Sequence, residues 1–409
     1  MSAPHVEYVE MTGHIVDSLL LPKVLDAILS RGGRYNIETL RLGQRQDDPS
    51  FARIEVKADT SEQLEAILAD VHPHGAVAAD ASDCRTVAAD MDGAFPDGFY
   101  CSTNFRTQVK LNGEWVDVED QEMDCGIAVD PEGAARCVPM TAVKTGNRVL
   151  VGRAGTRVFP PESEMRKHEL FEFMASPVSS ERPKAVSVRE IAIAMRKTRA
   201  AGDRVLAVLG PAVVHTGGAE LVAKMVRDGF INVLFAGNAL ATHDMEQAFY
   251  GTSLGVSLDK GLPTDEGHEH HLRTINTIRR MGGIKKAVET GKLTSGIMFE
   301  CVKRDVPYVL AGSIRDDGPL PEVVTDALAA QDAMRRLIPG VGFCLMVATT
   351  LHSIAVGNLL PAWVKVACVD ISPATVTKLM DRGSTQTVGI VSDAEPFIRA
   401  LVAELDKPV

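Results

Sequence analysis

The chain has 409 residues, 45% of them hydrophobic and 24% charged, which calls for two or three domains of ordinary globular composition. A formal net charge of −11 argues against nucleic acid or an anionic membrane as the main partner, because both need a basic face. Seven scattered cysteines without a CxxC pair argue against a disulfide framework and point to a reducing, cytoplasmic setting, and the N-terminus "MSAPHVEYVEM" lacks the basic and apolar regions of a signal peptide.

"HVEYVEMT" (5–12) alternates as a strand. "DSLLLPKVLDAILSRGG" (17–33) predicts an amphipathic helix that starts at an Asp17 cap, tolerates an early Pro22 and stops at paired glycines. "YNIETLRLGQ" and "SFARIEVKAD" predict two strands around a polar turn containing Asp47, Asp48 and Pro49. "TSEQLEAILADVHPHG" predicts a second helix with a capped start over Thr60–Glu65. The order β-α-β-β-α predicts a small α+β module, ferredoxin-like or ACT-like, over residues 1–82. Such modules often bind amino acids or make dimers, though the fold alone does not show it.

Residues 83–165 predict a small β domain of short strands separated by Gly, Asp and Pro, with a hairpin at Asn112–Gly113. A bridge then leads to a helix over 187–201. From 204 onward, near-continuous apolar runs at 204–209, 231–236, 306–311, 341–347, 364–370 and 387–391 alternate with helical patterns. That alternation predicts an α/β domain, a Rossmann-like parallel sheet covered on both faces, over 166–409. The apolar stretch from Val341 to Val369 is interrupted by His352, Asn358 and Pro361, so it reads as strand, buried helix and strand rather than a membrane span.

Ligands of such a sheet bind beyond the carboxyl ends of its strands. Five strand ends here carry Gly, small hydroxyls, Asn, His and Asp: "GPAVVHTGG", "GNALATHD", "GSIRDDGPLP", "ATTLHSIA" and "CVDISP". Gly210, Gly217 and Gly218 do not have GxGxxG spacing, so their loop is either a tight turn or a helix N-terminus facing a phosphate. Asp370 is placed to accept the ribose hydroxyls of NAD. The alternative is a helix cap, a role Ser372 before Pro373 already fills. Asn238 suits a carboxamide or ribose, or else a left-handed turn, and Asp244 a helix start. Arg315 suits a substrate carboxylate and Asp316 or Asp317 a cofactor hydroxyl or substrate ammonium, against the alternative of a local Arg–Asp pair. "EGHEHHLRTIN" holds His268, His270 and His271 in no zinc-site spacing, and no metal is expected. A titrating histidine beside the cofactor and a solvated helix start are the remaining readings. Cys125 has acidic neighbours, which raise a thiol's pKa, and reads as a small structural residue.

Together "GPAVVHTGG", "AGNALATHD", "GTSLG", "GHEHHLRTIN", "LAGSIRDDGPLP", "VATTLHSIAVGN" and "VDISPATVTKLMDRGSTQ" resemble the archaeal-type ornithine cyclodeaminase family. The same region forms the C-terminal half of cyanobacterial arginine dihydrolase/ornithine cyclodeaminase fusion enzymes. The first hundred residues resemble the conserved region of the plant lysine-ketoglutarate reductase/saccharopine dehydrogenase. The resemblance covers essentially the whole chain. No arginine-degrading domain is included, so arginine hydrolysis is not expected.

The resemblance implies a Rossmann-like NAD domain without the usual glycine fingerprint. The NAD contacts it implies come from Gly237, Asn238 and Ala239, from Asp317, from Ala348, Thr349, Thr350, Leu351 and His352, and from Asp370 and Ile371. It implies an ammonia lyase that turns L-ornithine into L-proline: Cα gives a hydride to NAD⁺, the δ-amine attacks the α-imine, ammonia leaves and the hydride returns. On chemical grounds Arg315 is assigned to the carboxylate, Asp316 to the amine or cofactor, and His215, His243 and His271 to proton shuttling. The alternatives are an NAD-dependent dehydrogenase or lyase acting on another amino acid or diamine-type amino acid, and a non-enzymatic sensor of amino acid and NAD. A homo-oligomer is expected.

Overall fold

The computed structural model describes residues 5–16, 18–43, 45, 48–79, 82–160, 184–257, 269–316, 318–381 and 387–407. The expected cap Asp17, the turn residue Asp47, and the site candidates His268 and Asp317 lie outside them. The chain forms two compact units, one of residues 1–169 with 360–363, the other of 170–359 with 364–409.

The first unit opens with β1 (His5–Gly13), α1 (Leu20–Ser30), β2 (Arg34–Arg41), β3 (Ser50–Ala58), α2 (Ser61–Val71) and β4 (Val77–Ala78). Their sheet has the order β2-β3-β1-β4 with every pairing antiparallel, the ferredoxin-like arrangement. Alternation along β3 turns Ala52, Ile54 and Val56 inward against Val24, Ile28, Leu64 and Ile67 of the two helices. The cap of α2 differs from the expectation: Thr60 Oγ1 accepts the Gln63 N–H at 3.1 Å, and Gln63 Oε1 accepts the Asp59 N–H at 2.8 Å. The residue three positions past a cap is the one that can close the box, so Gln63 and not Glu65 does so.

A second sheet in this unit uses β5 (Arg85–Ala88), β6 (Arg106–Leu111), β7 (Glu114–Glu119), β8 (Gly126–Val129), β9 (Ala135–Val138), β10 (Arg148–Val151) and β11 (Thr156–Phe159), in the order β11-β6-β7-β9-β8-β10-β5. Asn112 (φ 51°) and Gly113 (φ 85°) make the two-residue turn between β6 and β7. Cys125 is buried, and its N–H donates to Ser102 Oγ at 3.1 Å.

The second unit starts with α3 (Lys184–Ala200), β12 (Arg204–Leu209), α4 (Ala212–His215), α5 (Ala219–Arg227), β13 (Val233–Gly237) and α6 (Asn238–Tyr250). There follow the ribbon β14 (Thr252–Ser253) and β15 (Val256–Ser257), α7 (His270–Met281), α8 (Ile284–Glu289), α9 (Ile297–Lys303), β16 (Tyr308–Ala311), β17 (Val323–Val324) and α10 (Ala327–Arg335). The chain closes with β18 (Val341–Val347), α11 (Thr350–Leu359), β19 (Lys365–Asp370), α12 (Pro373–Asp381), β20 (Thr387–Val391) and α13 (Ala394–Leu405).

The main sheet runs β17-β16-β13-β12-β18-β19-β20, and every pairing is parallel. Its central strands are apolar throughout because helices cover both faces: Leu206, Ala207, Val208, Leu234, Phe235, Leu345 and Met346 are all buried. The two-residue β17 was not expected, being too short to show a pattern. From β12 the chain works outward through β13, β16 and β17, then returns to lay β18 on the other side. The strand order therefore reverses between β12 and β18, where a doubly wound sheet opens its ligand crevice. No described helix is long and apolar enough to cross a membrane.

Candidate active site

At the reversal point two loops close on each other. Gly210 follows β12, and a Cβ there would overlap the carbonyl oxygen of Ala348. Ala348 follows β18 in the left-handed region (φ 54°), costly for a residue with a Cβ, and its N–H donates to Val369 O at 2.9 Å. This close approach is why the loop needs a glycine at 210 although it lacks the dinucleotide fingerprint.

The next strand end, Gly237, is the N-cap of α6 and offers no side-chain cap. The first-turn N–H groups over Asn238 and Ala239 therefore face the strand-end side without an intrahelical partner. The His352 ring of α11 lies over Gly237, where a Cβ would sit 3.1 Å from its Cε1. Asn238 begins the helix rather than occupying a left-handed turn, and its Oδ1 accepts the Leu320 N–H at 3.0 Å. Arg315 and Asp316 lie on the turn after β16. Asp316 Oδ2 accepts the Ser313 N–H at 2.8 Å, and the Arg315 side chain is exposed. Burial pulls the His352 pKa down while Asp316 opposes it, so Asp316 acts electrostatically on the ring that covers Gly237.

Across the crevice Thr350 Oγ1 and Thr375 Oγ1 share a hydrogen bond of 2.8 Å, and Thr349 stands against Gly210. Asp370 ends β19, and its Oδ1 accepts the Ser372 N–H at 2.8 Å. The carboxylate thus braces its own turn, contrary to the expectation that Ser372 would leave it wholly available. Leu351 and Ile371 are 76% and 69% exposed on the same edge, apolar side chains held in solvent by buried neighbours.

The histidines gather behind this edge. His243 lies five residues into α6, about 7 Å along the axis from its first residue. His215, at the end of α4, packs edge-on to it with ring centroids 4.7 Å apart, and the His271 ring of α7 is 6.4 Å away. His215 Nδ1 is 2.7 Å from Ser253 Oγ, and burial, with His243 adding to it, pushes the His215 pKa down to about 4. His243 Nδ1 is 2.8 Å from Oε2 of the fully buried Glu246. Among the described residues, no hydrogen bond, ion pair or ring contact links Arg315 or Asp316 to this cluster, so the candidates fall into a cofactor-edge group and a histidine group.

Residues 189–401 match the family described as arginine dihydrolase ArgZ-like, C-terminal, Rossmann fold, residues 106–188 match its C-terminal first region, and residues 6–105 match the LOR/SDH bifunctional enzyme conserved region. The chain is 53% identical over 400 residues to an ornithine cyclodeaminase of Methanothermobacter thermautotrophicus, across 98% of this chain and 97% of that one. It belongs to the archaeal-type ornithine cyclodeaminase family.

As a member of that family the chain is an enzyme. It resembles the apo structure of ArgZ, an arginine dihydrolase from cyanobacteria, with a TM-score of 0.83 and 39% identity over 99% of this chain and 59% of that one. The ternary complex of AgrE with ornithine and NAD⁺ matches with a TM-score of 0.54 and 41% identity over 98% of this chain and 58% of that one.

In this family member the candidates picked from the sequence omit residues that the structure places inside the histidine group. Glu246, Thr252 and Ser253 are all buried there. A signal existed: His243 and Glu246 stand three apart on a helix, which puts them on one face. Asp244 is not at a helix start but inside α6. Its carboxylate accepts the Ile297 and Met298 N–H groups, both at 2.8 Å, and so caps α9, a helix distant in sequence. Burial pushes that carboxyl up to about 7 against the pull of those two N–H groups.

Proposed function

We propose that this enzyme is an NAD-dependent ornithine cyclodeaminase that converts L-ornithine to L-proline and ammonia. The observation that carries the reading is helix α6. Its open N-terminus stands at the strand-end edge, and about one and a half turns further on the same helix carries His243 of the histidine group. Relatives named ornithine cyclodeaminase share about half of the residues along nearly the whole chain, which supports the choice of substrate.

The edge fits a dinucleotide. Gly210 and Ala348 bring two backbones together at the reversal point, and Gly237 presents helix N–H groups with no Cβ in the way. In this reading Gly237, Asn238 and Ala239 hold the pyrophosphate, while Ala348, Thr349, Thr350 and His352 line the crevice. Asp370, and Asp317 beyond the described residues, take hydroxyls, and Leu351 and Ile371 flank the base. Bound there, NAD supplies a reversible hydride acceptor, so the net conversion is redox neutral.

The chain's own residues do the rest. Arg315 engages the substrate carboxylate as a fork. Asp316 faces the substrate amine or a cofactor hydroxyl. His215, His243 and His271 carry protons from and to the two amines. The small-molecule amino acid is the main partner, and seven scattered cysteines with no CxxC pair accord with a cytoplasmic setting.

The test follows proline, ammonia and the NADH absorbance together after mixing the protein with NAD⁺ and L-ornithine. Equal amounts of proline and ammonia with no lasting NADH is the expected result. Accumulating NADH would replace the reading with an amino-acid dehydrogenase. Stabilisation by NAD⁺ with no turnover would replace ornithine as the substrate.

A further inference from the structure

One carboxylate organises the interior of the histidine group. Glu246 has no exposed surface. Its Oε2 lies 2.8 Å from His243 Nδ1, and its Oε1 lies 2.9 Å from Thr252 Oγ1 and 3.0 Å from the Gly255 nitrogen. Burial works to raise this carboxyl, but the bonds from His243, the Gly255 N–H and Thr252 prevail and hold it below its ordinary value. An ionised carboxylate only accepts hydrogen bonds, so the proton positions around it follow. His243 carries its hydrogen on Nδ1. Thr252 spends its single hydroxyl hydrogen on Glu246, so its oxygen accepts from His270 Nδ1, 2.8 Å away. Both rings, when neutral, then keep their lone pair at Nε2.

We propose that Glu246 is the positioning residue of the reaction: it fixes His243 in the Nδ1–H tautomer, and His243 Nε2 is the atom that takes and returns the substrate proton. The proposal rests on the preceding reading that proton transfer occurs at the histidine group. It separates the candidate rings. Among the described residues His215 meets the Ser253 hydroxyl at Nδ1, a group that donates or accepts and so selects no tautomer. Burial keeps that ring neutral down to a pH of about 4. The His271 ring stands 6.4 Å from His243 at the start of α7. Among the described residues, the titratable groups around His243 are Glu246 on its own helix, His215 from α4 and His271 from α7, with His270 one hydroxyl further on. Asp244, its chain neighbour, is turned to α9. In the step an N–H bond of the substrate ammonium breaks and an N–H bond forms at His243 Nε2. The electron pair stays on the amine nitrogen, and the resulting imidazolium is paired with Glu246, which stays ionised throughout.

The tautomer is visible without substrate. Protein carrying histidine labelled with the heavy nitrogen isotope, with the His243 signal assigned through His243→Asn, should show a protonated Nδ1 and a bare Nε2. Glu246→Gln keeps the shape but presents an NH₂ group that can donate to Nδ1, so the signature should be lost. Proline formation should then fall in kcat by roughly a hundredfold, with KM for ornithine changed by less than about threefold. NAD⁺ should still stabilise the variant. A wild-type spectrum with the proton on Nε2, or a Glu246→Gln enzyme whose kcat stays within about threefold of wild type, overturns the proposal. If Glu246→Gln does not fold, the wild-type spectrum still decides. Thr252→Val removes one of the hydrogen bonds that Glu246 accepts together with the His270 branch but leaves the Glu246–His243 pair, so the His243 signature should stay in place, and its loss would count against Glu246 as the determinant of the tautomer. A wild-type protein that shows the tautomer but makes no proline sinks the ornithine reading alone.

Discussion

Helix α6 starts at the strand-end edge and carries His243 of the histidine group, and the two regions are built in opposite ways. At the edge, polar groups stand open: the Arg315 side chain is exposed, the first turn of α6 is uncapped, and Leu351 and Ile371 project into solvent. Behind it, Glu246 is enclosed and its hydrogen bonds run to His243, Thr252, Leu254 and Gly255. An edge left unsatisfied is one a ligand can complete. A group satisfied internally is one whose geometry is set before any ligand arrives. Binding and proton transfer are thus assigned to regions with different tolerance of change.

The sharpest way to break that comparison is His243→Asn. It should cut proline formation by about 10²- to 10⁴-fold while NAD⁺ still raises the melting temperature, since the edge is untouched. Equal loss of both would mean the two regions are not separable. Gly210→Ala acts on the edge alone. The Ala348 backbone must shift to admit the methyl group, so thermal unfolding should show a loss of about 3 kcal/mol together with weakened NAD⁺ binding. His72 in the first unit serves as a control, a buried histidine whose ring, among the described residues, hydrogen-bonds to the Tyr100 and Thr156 hydroxyls and to no carboxylate. Burial, with Arg153 adding to it, pushes its pKa down to about 4. The unfolded chain therefore binds the proton first, and this contribution is complete above pH ~6.5 and lost as pH falls towards 4. Denaturant titrations over that window should show a loss of up to about 3 kcal/mol that His72→Gln flattens.

Arg315→Met tests the open edge for substrate. KM for ornithine should rise by about ten- to a hundredfold with kcat little changed, as expected for loss of a charge-assisted fork. An unchanged KM would remove Arg315 from the carboxylate role. The smallest effect belongs to Asp370→Asn, which keeps an acceptor for the Ser372 N–H. NAD⁺ affinity measured by calorimetry should fall by about tenfold or less.

Long regular patterns were readable directly. Six of the seven strands of the parallel sheet stood out because strands covered on both faces must be apolar throughout, and their ends marked the edge because ligands in such sheets bind there. The ferredoxin-like module was readable for a similar reason, from helix and strand periods that differ. The short strands β5, β11 and β17 were not, since two to four residues carry no period.

What the amino-acid sequence determined by itself was the element order, the buried strands and the set of polar loops, all consequences of local periodicity and composition. Which of those polar residues meet was decided only in three dimensions. Asp244 looked like a helix start and instead caps α9, more than fifty residues away, while Glu246, an ordinary acidic residue in the sequence, became the buried partner of His243. The cause is that hydrogen-bond partners of buried groups are chosen by packing between elements remote in the chain. A carboxylate with no access to water must find its donors wherever the fold brings them.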